Sequence, residues 1–99
     1  MQCAAVCFDL HVPESRSLKA KRAAIRPVVD GLRHRFRVSV AEVGHLDQWQ
    51  RAAIGVAVVS ATVSQVEQVL ESVERFVDTA EGVELIDVER GWLELEAAQ

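Results

Sequence analysis

Tyrosine is absent from this 99-residue chain, and three Phe and two Trp make up its aromatic complement. Few side chains are therefore available to stack nucleic-acid bases on a sheet. The five glycines are scattered, so no glycine-rich loop can cradle phosphates. No apolar run exceeds strand length, which excludes a membrane-spanning helix. The N-terminus lacks a basic region followed by an apolar core, so no secretory leader is expected. There are three histidines and two cysteines, and none has the spacing of a metal-ligand set. The pair His45-x-Asp47, with His11 and His34 elsewhere, resembles no such set. Ser15, Ser17, Ser60, the cysteines and the histidines form no nucleophile–base signature, so neither an enzyme nor a cofactor is expected. No small-molecule substrate suggests itself.

The two cysteines, Cys3 and Cys7, fall four residues apart on one expected strand. That separation is roughly 13 Å at about 3.3 Å per residue, beyond the reach of a disulfide. Two free thiols fit a reducing cytosol, and a cytoplasmic protein is expected.

What is present describes one globular α+β domain over residues 1–99. Apolar residues make up 49% and charged residues 26%, enough of each for a core and a soluble surface. Ala4, Val6, Phe8, Leu10 and Val12 alternate with Cys3, Ala5, Cys7, Asp9 and His11, the period of a strand with one buried face. Pro13 ends it. Ser17 is placed to cap a helix running to about Phe36, with Leu18, Ile25, Val29, Leu32 and Phe36 on its apolar side and Val28 at the margin. Pro27 projects from the opposite side, where a kink is expected. Val38–Val43 and Ala52–Val59 read as strands around a loop at 44–51. Ser60 or Thr62 caps a second helix whose stripe is Val63, Val66, Leu70, Val73, Val77 and Ala80. Glu81-Gly82 stops it, and Val83 to about Arg90 is the last strand, with a tail from about residue 93 expected to fray. The order βαββαβ predicts a ferredoxin-like fold. Its four-stranded antiparallel sheet has the order 4-1-3-2 and carries both helices on one face.

Charge is divided along the chain. Residues 16–37 carry eight cations against Asp30 alone, a net of +7, while residues 67–96 carry ten acids against two arginines, a net of −8. Lys19, Arg22, Arg26 and Arg33 share a band of roughly 60° on the first helix, flanking its apolar side. Such a stripe, with Arg37 beyond it, can track phosphates or can simply be a solvated flank. The second helix turns Glu67, Glu71, Glu74 and Asp78 to the other side, so a basic edge near Arg37 and an acidic edge near Glu84 and Asp87 are expected. In the loop, Trp49 with Gln50 and Arg51 suits base stacking or a protein contact. Alternatively Trp49 folds back over the core and Asp47 caps a turn. The strand face bearing Cys3, Ala5 and Cys7 is poor in charge. It is a candidate interface for a homo-oligomer or another protein, unless Trp92-Leu93-Glu94-Leu95 folds over it.

Four segments carry a resemblance to a known family. They are Ser17-Leu18-Lys19-Ala20-Lys21-Arg22, the run Arg33 to Val43, Asp47-Gln48-Trp49-Gln50-Arg51-Ala52 and Asp87-Val88-Glu89-Arg90. Together they resemble the YlxP-like family of small bacterial proteins of unknown function. The resemblance covers nearly the whole chain and implies a ferredoxin-like fold with no assigned activity. Members are often encoded beside translation and ribosome-maturation genes, including ribosome-binding factor A, which points to rRNA or the ribosome as a partner. The family usually has Asp-His before the tryptophan loop, where this chain has Gly44-His45.

Overall fold

A computed structural model describes residues 1–96 of the chain. Its elements are β1 (Gln2–His11), α1 (Leu18–Arg35), β2 (Ser39–Gly44), β3 (Arg51–Ser60), α2 (Val63–Asp78) and β4 (Glu84–Glu94). All strand pairs are antiparallel, in the order β2-β3-β1-β4. This is the expected ferredoxin-like order read from the opposite edge. α1 packs on β2 and β3, and α2 packs on β1, β3 and β4.

The alternation along β1 decides which side is core. Ala4, Val6, Phe8 and Leu10 are buried, and Val6 and Phe8 pair with Val56 and Ile54 of β3 on the same face. Phe8 is fully buried, and burial of a side chain that size contributes about 1.5–3 kcal/mol. From the helices, Ile25, Val28 and Leu32 meet Val66, Leu70, Val73 and Val77 over this layer.

Caps form where the side chains allow. Ser17 Oγ accepts from the Ala20 N–H at 3.0 Å, and Thr62 Oγ1 accepts from the Gln65 N–H at 3.2 Å. Ser60, the other capping candidate, reaches Gln65 Oε1 instead. Gly82, at φ 82°, supplies the left-handed turn that leads from α2 into β4.

Two expectations change, although α1 runs on through Pro27 and turns it to the exposed side as expected. Its buried line is Lys21, Ile25, Val28 and Leu32, with Val29 only half buried, so the helix is turned by about 40° from the expected orientation. β4 does not stop near Arg90. Its residues Trp92, Leu93 and Glu94 pair with Ala4, Cys3 and Gln2, so the segment neither frays at 93 nor folds over the sheet. The rest of the expected frayed tail, residues 97–99, lies outside the described residues.

Close helix–helix approach depends on Gly31. A Cβ there would overlap Phe76 Cζ. The Phe76 ring is held edge-on to Phe36 at 6.0 Å and lies under the Arg35 guanidinium at 5.1 Å. Alanine is the better helix former by about 1 kcal/mol, but overpacking costs about 1–3 kcal/mol. Gly31→Ala is therefore expected to lower stability by about 1 kcal/mol, read as a lower melting midpoint. A rise would show that the Phe76 ring moves freely.

Candidate nucleic-acid interface

The β2–β3 connection is held from below by a buried lysine. Lys21 is 1% exposed. Its Nζ donates to His45 O at 2.8 Å, with Leu46 O at 3.5 Å. It also lies 2.9 Å from Glu42 Oε2, an approach that is electrostatic and not along a hydrogen-bond direction. A buried ammonium is tolerated only when paired and hydrogen-bonded, and here the loop supplies the partners. In the sequence Lys21 counts only toward the net charge of residues 16–37. The missed signal was its phase: it lies four residues before Ile25 and seven before Val28, on the apolar stripe.

From this base the loop turns at His45, whose φ of 56° is left-handed, and closes with the Gln48 N–H donating to His45 O at 3.0 Å. The Gln50 side chain donates to Pro13 O and Ser15 O, at 3.4 and 3.2 Å, and the Gln50 backbone carbonyl accepts from the Val12 N–H at 2.8 Å. The loop is thus stitched to the β1–α1 connection. Trp49 does not fold back over the core; it stands 55% exposed. It lines an open cleft of about 810 Å³ with Arg16, Gln48, Arg51 and His11. Asp47 lines the same cleft and caps no turn among the described bonds.

The expected contact residues separate into two groups. Gln50 is a fastener, as above. Arg51 Nη2 donates to Asp9 Oδ2 at 2.6 Å, so its charge is already paired. Arg33 Nη2 donates to Val40 O at 2.9 Å and ties α1 to β2 while its charge stays unpaired. Lys19, Arg22, Arg26, Arg37 and Trp49 are exposed and make no ion pair among the described residues. With α1 turned as described, its basic stripe points roughly 85–145° from the buried line. Asp30 lies beside that stripe without pairing to it. Arg16, which the sequence analysis did not single out, joins the set through the cleft.

The acidic side lies elsewhere. Glu74 pairs with Arg90 of β4, and Glu71, Glu74, Asp78 and Leu85 line a separate cavity of about 470 Å³. Neither Arg22 nor Arg26 reaches Glu67, Glu71 or Glu74 among the described contacts.

On the open face of the sheet, Asp9 also has His45 Nε2 at 3.4 Å from its Oδ1. Asp87, Glu89 and Cys7 complete a small cavity of about 140 Å³. Burial pushes the Cys7 thiol up, and the charges of Asp9, Glu89 and Asp87 push it further in the same direction. Both cysteines are free. Among the described residues, no three His, Cys, Asp or Glu are grouped so as to hold a metal. No described helix is long and apolar enough to cross a membrane.

Two comparisons bear on this arrangement. The profile of a family described as "Protein of unknown function (DUF503)" matches residues 3–90. A Bacillus subtilis (strain 168) protein named "Uncharacterized protein YlxP" is 32% identical over 91 residues, spanning 92% of this chain and 94% of that protein.

Proposed function

The chain belongs to the DUF503 family of proteins of unknown function, and within that family we propose that it is a non-enzymatic RNA-binding protein that associates with ribosomal RNA. The observation that carries this reading is the continuity of one surface. Exposed Trp49 and Arg16 share a cleft at the start of α1. Lys19, Arg22, Arg26 and Arg33 continue from it along the helix flank, over about 21 Å at about 1.5 Å per residue. A row of unpaired cations with an aromatic at one end suits a strand whose phosphates follow the row while a base stacks on the indole. The resemblance to a family encoded beside ribosome-maturation genes supports ribosomal RNA as the class.

Cys7 is not poised as a nucleophile, which needs a lowered pKa, because burial and the nearby carboxylates push its thiol the other way.

The test is filter binding of ribosomal RNA fragments across a salt series. Affinity is expected to fall steeply with salt, because each neutralised phosphate releases counterions. Absence of association at low salt would end this reading.

A further inference from the structure

The open face of the sheet plays no part in RNA binding as proposed. Its centre consists of Ala5, Cys7, Ala41, Gly55, Ala57 and Gly91, brought together by the strand register. Val43, Val59 and Leu93, each more than half exposed, stand around it. The bulge at Val43 places its methyls over Gly55, where a Cβ would lie 3.0 Å from Val43 Cγ1. Gly55 is therefore explained by the chain's own packing. Gly91 is not, because a Cβ there would meet nothing within 4 Å. Glycine weakens a strand, and one with no internal reason marks a place where another backbone comes close. A solvated face of an antiparallel sheet ordinarily carries polar side chains. This one has an apolar open trough of about 550 Å³ instead.

We propose that the occupant is a second copy of this chain, stacked open face to open face about a two-fold axis. The size is adequate. Three strands about 33 Å long and β2 at about 20 Å, spaced about 4.8 Å apart, cover roughly 570 Å² per copy, about 1,100 Å² in total, near the lower limit of specific interfaces. The cost of burying carboxylates against apolar side chains selects the orientation. An axis across the strands would press Asp9, Asp87 and Glu89 of one copy onto the apolar end, Cys3, Val59 and Leu93, of the other. An axis along the strands keeps like ends together and sets the β4 edge, with Asp87 and Glu89, over the β2 side, with His45. It also stacks β1 on β3 of the other copy, small residue on small residue. The dimer then presents both Trp49 loops at one end.

The test is the mass in solution by sedimentation equilibrium of the full chain and two variants. Wild type is expected as a dimer at about 10 μM, a modest affinity for this area. Gly91→Val separates the alternatives. In an isolated chain the added side chain enters open space and favours the strand, so folding is unharmed. In the dimer it is expected to weaken association at least tenfold. Ala5→Glu, at an exposed position, is expected to give a folded monomer. Circular dichroism checks that both variants fold. A monomer at about 100 μM, with the trough left to a foreign partner, overturns the proposal. So does a dimer indifferent to both substitutions. RNA binding is read separately, so failure of one proposal leaves the other standing.

Discussion

Lys21→Met is expected to cost about 2–4 kcal/mol, a large share of the roughly 5–15 kcal/mol that holds a domain together. The substitution keeps the volume and the apolar stem but removes the ammonium. His45 O loses a donor at 2.8 Å, and Glu42 is left without its counter-charge. Removing one member of a buried pair ordinarily costs about 3–5 kcal/mol. The Glu42 side chain is 18% exposed and can recover some water, which lowers the figure. The denaturation midpoint should fall with an unchanged denaturant slope. Adding Glu42→Leu to Lys21→Met should restore part of the loss, since two apolar groups leave no charge unpaired. There is a functional counterpart. With its tether cut, the loop should loosen, and Trp49 should become easier to quench with acrylamide in a Trp92→Phe background. A change in stability within about 0.5 kcal/mol would mean that the loop holds itself without Lys21.

Removal of Trp49 from the proposed interface is expected to have the largest effect on binding. Loss of one base stack corresponds to about 1–3 kcal/mol, roughly five- to 150-fold in affinity. Arg22→Ala with Arg26→Ala should lower affinity about tenfold and flatten the salt slope by about 1.4, two contacts at about 0.7 each for a single strand. The two effects differ in kind. The Trp49→Ala loss should persist at high salt, whereas the arginine loss should fade as salt screens the phosphates. Arg75→Ala, on α2, is the control and should change neither quantity. None of these exposed side chains sits in the core, so the melting midpoint should move little. An unaltered salt slope after the double arginine change would remove the α1 flank from the interface.

Periodicity determined much of this protein without coordinates. The period-2 run from Ala4 to Val12 and the heptad-like stripe of α2 are local patterns tied to backbone geometry, and they specified strand, helix and buried face directly. The order of elements then limited the topology to the sheet that is found. Composition likewise exposed the basic and acidic halves. The rotation of α1 could not be read this way. Ile25, Val29 and Leu32 define an apolar side, but a lysine on the stripe looks polar until Glu42 and the loop carbonyls lie above it. Only pairing across the fold makes that burial favourable and turns Val28 inward. The same holds for the loop. Gln50 and Arg51 resembled contact residues because amide and guanidinium groups serve ligands and backbone equally well, and the nearness of Ser15 and Asp9 decides which. Trp49 stays exposed between Gln48, which closes the turn at His45, and Gln50, which is pinned to the β1–α1 connection. The end of β4 depended on a partner in the same sense. Trp92 to Glu94 hold strand geometry because Gln2 to Ala4 offer a free ladder, and that ladder exists only once the sheet has formed.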